Sequence, residues 1–375
     1  MKNQIPVGSN QRLGFLEGMR GCAATYVLMH HAVLWLWRPE AGSAYSGMRA
    51  MFWGVFRYGY EAVLFFLVLS GFCIHLRYSR QLKAAPREAR FDWIPYFLRR
   101  ARRLYPPLIA ALILTFPIDQ FGMRQGFAVY SASTPYPELN VFAHPNFEIT
   151  TLIGNLLFGV NFYAPVWGTN SALWALSYEA WFYLLYPLFY LLSARSIWKA
   201  TAAMFVLALV STAVSGRTSF FLPRVLGFMS IWWVGALLAD VYTGRIALPL
   251  KKATALLAAI AVSGLLLSHT SFAVYAIGCG ALFAALISGC LMLNSAHPVL
   301  RGFTGFKALG NLSYTLYVIH APLLIFLSGR AMKQHPGMRL PEAPWVFAAG
   351  AALCLAAAYA LHWVVERPFR RAVDR

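Results

Sequence analysis

The chain has 375 residues, of which 59% are apolar and 12% charged, and its formal net charge at pH 7 is +19. The apolar residues fall in long blocks with neither strict alternation nor a heptad repeat, which excludes an ordinary soluble domain and places the chain among all-α polytopic membrane proteins. The positive charge does not indicate nucleic acid as a partner, because the basic residues sit between hydrophobic blocks rather than on a soluble surface with interleaved aromatics. About ten transmembrane helices are predicted, near residues 14–37, 53–76, 104–122, 173–192, 200–216, 225–243, 253–268, 273–294, 309–329 and 344–364.

Placing the N-terminus in the cytoplasm assigns 22 Lys and Arg residues to inside segments and nine to outside ones, an asymmetry that the positive-inside rule favours. Both termini are then cytoplasmic. Counting residues 149–163 (ITTLIGNLLFGVNFY) as a full span would move every later loop across and degrade that bias, so this stretch reads as re-entrant or interfacial. The first span is long, interrupted by charge and followed by further spans, as an anchor is and a cleavable signal peptide is not. No connection is long or polar enough for a soluble domain. One membrane domain is therefore expected over residues 1–375, with a core near 12–370. Cys22, Cys73, Cys279, Cys290 and Cys354 all fall within spans, without CxxC or metal-ligand spacing. They read as packing residues, and no metal site is expected.

The first span, GFLEGMRGCAATYVLMHHAVLWLW, carries Glu17, Arg20, His30 and His31. A charge at bilayer depth costs at least ~2.5–3.5 kcal/mol on insertion scales, so such groups face a protein interior or a watery cavity and mark function. Arg20 and His31 are eleven residues apart, which on a helix is three turns plus roughly 20°, so they share a face. Glu17 joins that face within reach of Arg20. His30 is rotated about 100° from His31 and is expected to serve a different neighbour.

In the second span, EAVLFFLVLSGFCIHLR, the pair Ser70-Gly71 reads first as a tight helix crossing, with Ser70 kept as a candidate substrate contact. His75 reads as an interfacial side chain that snorkels. The loop RYSRQLKAAPREARFDWIPYFLRRARRLYPP sets nine Lys and Arg against Glu88 and Asp92. Two readings stand together: a patch that attracts anionic membrane lipids, and a phosphate-binding cluster of Arg99, Arg100, Arg102 and Arg103. In WGTNSALWALSYEAWFYLLYPL, Glu179, Tyr183 and Tyr186 share a face with Ser177 at the entry, and Glu179 requires a cationic partner or a proton. In LGNLSYTLYVIHAPLLIF, Ser313, Tyr317 and His320 form a third stripe, with a kink expected at Pro322. A lone His320 bonded to a neighbouring helix is an equal reading. His144, His269, His297, His335 and His362 lie in loops or near span ends and receive no role. Without a P-loop, GxSxG elbow, HExxH or dinucleotide fingerprint, hydrolase and nucleotide-driven pump readings lose their usual support.

The segments LEGMRGCAATYVLMHHA, VLFFLVLSGF, RRARRLYPP, LWALSYEAWFYLLYPL, LGNLSYTLYVIHAP and VERPFRR, in that order, resemble the integral-membrane acyltransferase family 3, the polysaccharide and O-antigen O-acetylase type. In that family an arginine, ten residues and a histidine in the first helix are essential, a spacing that Arg20 and His31 match; Arg100 and Arg103 match its basic run. Glu17 stands where the family usually has aspartate, Ala62 replaces a glycine, and His30 precedes the motif histidine where the family's second histidine follows it. Some relatives carry a C-terminal esterase-like domain, which is not seen here, so the membrane part is expected to complete the transfer.

The resemblance implies acyl transfer from acyl-CoA, acetyl-CoA in particular, to a hydroxyl of a lipid-linked or cell-surface glycan, in a bacterial inner membrane. No tightly bound cofactor is expected. His31 would act as general base, with Arg99, Arg100 and Arg103 on the coenzyme A phosphates and Arg20 a second candidate. Glu17 would pair with Arg20, while Glu179 or His320 would orient His31 or bind the acceptor beside Ser70 and Tyr317. A covalent acyl-histidine is the less favoured route. The alternatives are a proton-coupled secondary transporter, against which the chain shows no clear internal repeat, and a purely structural membrane protein, which has no need of three polar stripes.

Overall fold

The computed structural model describes residues 13–85, 90–214 and 221–368. Lys2, Arg12, Arg87, Glu88, Arg217, Arg370, Arg371 and Arg375, on which the charge count partly rests, lie outside the described residues, as do the ends of the 200–216 span and of the VERPFRR motif.

Ten helices among the described residues have 17 residues or more, and each overlaps one predicted span. With the shorter helices, the order is α1 (Phe15–Leu36), α2 (Ser46–Phe56), α3 (Gly59–Ala84), α4 (Trp93–Arg124), α5 (Ile149–Leu156), α6 (Leu173–Arg195), α7 (Ile197–Val214), α8 (Leu222–Thr243), α9 (Leu250–Leu266), α10 (Phe272–Met292), α11 (Pro298–Gly305), α12 (Lys307–Lys333) and α13 (Trp345–Leu361). Seven segments are long and apolar enough to cross a membrane: Ser46–Ala84, α4, α7, α8, α10, α12 and Trp345–Glu366. The helix α9 has only 17 residues, and α1 and α6 carry the ionisable and tyrosine side chains that lower their hydropathy. The protein is thus an all-helical, polytopic membrane protein.

Two boundaries differ from expectation. The second span runs to Ala84, and the residues before it form the separate helix α2, of which no residue is buried. The third begins at Trp93, so Arg99, Arg100, Arg102 and Arg103 are helical rather than part of a loop. Residues 149–163 form the eight-residue α5 and a turn. At about 12 Å, α5 is too short to cross a bilayer.

The chain divides into two compact units. Among the described residues, the first comprises 13–23, 61–85, 90–95, 181–214 and 221–310, and its core is aromatic: Trp232, Trp233, Phe182, Tyr186, Tyr190 and Phe72 are all fully buried. Small residues set its closest helix contacts. A Cβ on Gly264 of α9 would meet the Cα of Gly278 of α10 at 2.7 Å, and a Cβ on Gly71 of α3 would collide with the Trp232 carbonyl of α8. The Trp232 indole donates to Ser70 Oγ at 3.4 Å, so the Ser70-Gly71 pair does build a tight crossing.

The second unit comprises, among the described residues, 24–60, 96–180 and 311–368, with Trp37, Tyr96, Leu28 and Leu36 fully buried. Here α12 runs through Pro322 without interruption. Proline has no N–H, which frees the carbonyl four residues back, that of Val318. Asn170 Nδ2 donates to it at 2.8 Å, so a side chain replaces the missing backbone bond.

Candidate active site

At the start of α1, in the first unit, Arg20 Nη1 donates to Glu17 Oε2 at 2.7 Å, and Nη2 approaches Cys73 Sγ at 4.0 Å. Arg20 is 7% exposed. Its charge is buried and paired, as the one-turn spacing predicted.

About one and a half turns from the other end of α1, in the second unit, His31 Nδ1 lies 3.1 Å from His320 Nε2 of α12. His320 Nδ1 lies 2.7 Å from the carbonyl oxygen of Tyr317. A carbonyl only accepts, so His320 Nδ1 carries a proton; its Nε2, in the neutral ring, then accepts from His31 Nδ1–H. The relay leaves His31 Nε2 as the basic nitrogen. Trp35 stacks on the His31 ring, centroids 4.3 Å apart, and limits its rotation.

His30 does turn to another neighbour: its Nδ1 lies 2.7 Å from the Phe56 carbonyl oxygen, and its ring stacks on Trp53 of α2. The two adjacent imidazoles still touch edge to face, with centroids 4.8 Å apart. The reading of His320 as bonded to a neighbouring helix also holds, and that neighbour is His31.

Of the remaining candidates in the second unit, Ser313 is buried beside Tyr317 on α12, and the half-buried Glu179 acts electrostatically on Tyr317. On α4, Arg103 lies over the Tyr314 ring at 5.9 Å and Arg100 over Tyr96 at 5.5 Å, while Arg99 is half-buried. Arg102 points out. In the first unit Tyr183 and Tyr186 are both buried, and Tyr186 is given over to His75.

His75 corrects an expectation. It is fully buried rather than interfacial, with Nε2 donating to Asp240 Oδ2 at 3.0 Å and Nδ1 2.8 Å from Tyr186 Oη. Asp240 also accepts from Ser79 at 2.5 Å and from Arg245 at 3.3 Å. A second buried carboxylate, Asp119 of α4, accepts from Thr169 N and Oγ1, both at 2.8 Å, and from Tyr130 Oη at 3.1 Å. Burial and this carboxylate raise the Tyr130 phenol above its ordinary value, so it remains a donor. Gly168 (φ +59°) adopts a left-handed turn against Asp119 where a Cβ has no room, and the turn delivers Asn170 to Val318. Neither aspartate was singled out in the sequence, since each lies alone in an apolar block. A mid-helix Asp in a span was the available signal. His362 and Glu366 also pair, at 3.0 Å, with Glu366 accepting from Thr315 at 2.8 Å.

Among the described residues no group of three His, Cys, Asp or Glu side chains is placed to hold a metal ion. All five cysteines are free.

The chain is a helical membrane protein in which α1 carries a buried, paired arginine and a histidine joined to a second histidine on α12. The family model described as an acyltransferase domain, that of acyltransferase family 3, matches residues 13–363. The chain belongs to that family and is a membrane acyltransferase. No match is found among curated proteins or among solved structures.

Proposed function

We propose that the protein moves an acyl group, acetyl in the first instance, from acyl-CoA to a hydroxyl of a surface or lipid-linked glycan. The observation that carries this reading is the relay from the Tyr317 carbonyl through His320 to His31, which presents His31 Nε2 as a base. Nε2 takes the proton of the acceptor hydroxyl, whose oxygen forms the new bond to the thioester carbonyl carbon. The carbon–sulfur bond then breaks, and the imidazolium returns its proton to the departing sulfur. No covalent acyl-enzyme is needed. A positioned base of this kind contributes ~10²–10⁴-fold.

Arg99, Arg100 and Arg103 suit the coenzyme A phosphates, because planar guanidiniums bind phosphate oxygens with two donors at once. Rings beneath Arg100 and Arg103 hold these side chains in place. Arg20, oriented by Glu17, is a second candidate for the donor; Glu179 and Tyr317 are candidate substrate contacts in the second unit, and Ser70 is one in the first. The charge asymmetry supports a cytoplasmic position for the basic run, and so for the donor, at an inner membrane.

The test is mass spectrometry of cell glycans with and without the gene. Loss of units of about 42 Da, one acetyl group each, supports the reading. Unchanged glycans with altered solute uptake would replace it with transport.

A further inference from the structure

Beyond the relay, the second unit holds an open pocket of about 990 Å³ that no step above uses. It is walled by the chain following α1, the turn at Pro135 and Tyr136, the end of α12 and the start of α13. Its volume lies at the top of the range of ligand sites.

Its position relative to the basic run is set by α4. Arg103 and Arg124 are 21 residues apart on one helix, about 31 Å or one bilayer core, and Pro135 and Tyr136 follow its far end. The pocket therefore opens at the opposite end of this unit from Arg99, Arg100 and Arg103. It is closer to the relay: His31 to Leu36 rises about 7.5 Å along α1, and two further residues, Trp37 and Arg38, lead to the pocket wall.

The lining carries no surplus charge. Arg38 and Arg339 are matched in number by Glu40 and Glu342; Arg339 is paired with Glu40, and Arg38 with Glu138 beside the lining. A phosphate-rich ligand gains little from such a wall. Three aromatic rings face the same space: Tyr136, with Arg38 stacked 5.6 Å over it, and the exposed Tyr45 and Trp345, at 38% and 69% exposure. Flat rings beside paired carboxylates and guanidiniums recognise an uncharged polyol, stacking on its C–H faces and bonding its hydroxyls.

We infer that this pocket is an outer acceptor subsite, which holds uncharged sugar units of a glycan chain while another unit of the same chain reaches His31. The inference rests on the acyl-transfer reading and deepens it: the acceptor is an extended saccharide, because about 7.5 Å of helix and two further residues separate His31 from the pocket wall, more than one sugar ring covers.

The test uses full-length protein in membranes, acetyl-CoA, and glycan from cells lacking the gene, partly hydrolysed and sorted by length. The expected result is an acceptor KM that falls about tenfold from single units to longer fragments. Tyr45→Ala, Trp345→Ala and Arg339→Gln abolish that gain, and the rise is confined to acceptor KM rather than acetyl-CoA KM. These side chains are exposed, so truncation leaves the packing intact. Trp198→Ala, an equally exposed tryptophan on α7, keeps the gain. A length gain that survives in the pocket variants, or is missing from the wild type, overturns the subsite. Transfer to no fragment, with no coenzyme A released, overturns the acyl-transfer reading itself.

Discussion

His31 and His320, 289 residues apart in the chain, are joined Nδ1 to Nε2 at 3.1 Å, and the Tyr317 carbonyl fixes which nitrogens carry protons. On the proposed mechanism His320 positions His31. Its replacement by alanine is predicted to lower kcat about 10–100-fold, with acetyl-CoA KM little changed, because the base remains but loses its tautomer and orientation. His320→Gln, whose amide oxygen accepts from His31 Nδ1–H, restores part of the loss. Steady-state kinetics on both variants, with a pH–rate profile, checks this. Equal rates for His320→Ala and wild type would remove His320 from the account.

Arg20 uses its planar fork to hold Glu17 on one nitrogen and face Cys73 with the other. Arg20→Lys retains the charge but not the fork, and is predicted to lose at least about tenfold in kcat/KM at normal membrane levels. Wild-type transfer by this variant would show that charge alone suffices there.

Asn170 is fully buried and replaces the hydrogen bond that Pro322 removes from α12. Asn170→Ala leaves the Val318 carbonyl unsatisfied, at a cost of about 1–3 kcal/mol. Thermal unfolding in detergent is predicted to shift downward by several degrees. The double variant Asn170→Ala, Pro322→Ala regains part of that loss, since alanine at 322 supplies the backbone donor; a double variant no better than the single one contradicts the pairing.

The ten long helices, the Glu17–Arg20 pair and the separate neighbours of His30 were legible because helix periodicity places them without tertiary information. The pairing of His31 with His320 was not, since periodicity says which face a residue takes but not what packs against it. Asp119 and Asp240 were passed over for a related reason. Each is an isolated acid whose hydrogen-bond donors lie as many as 50 and 165 residues away. The start of α4 was misjudged because its arginines lower the local hydropathy while remaining good helix formers, so the helix extends outward from the apolar block.

Acetyl transfer by His31→Ala and His30→Ala, measured at equal membrane levels with labelled acetyl-CoA and the cell's own glycan, bears most directly on the role given to the relay. His31→Ala is predicted to lose at least about 10²-fold. His30→Ala, which gives up its contacts to Phe56 and Trp53 and its edge contact with the His31 ring but leaves the His31–His320 bond in place, is predicted to stay within about threefold of wild type. Comparable losses from both, or near-normal transfer by His31→Ala, would contradict it.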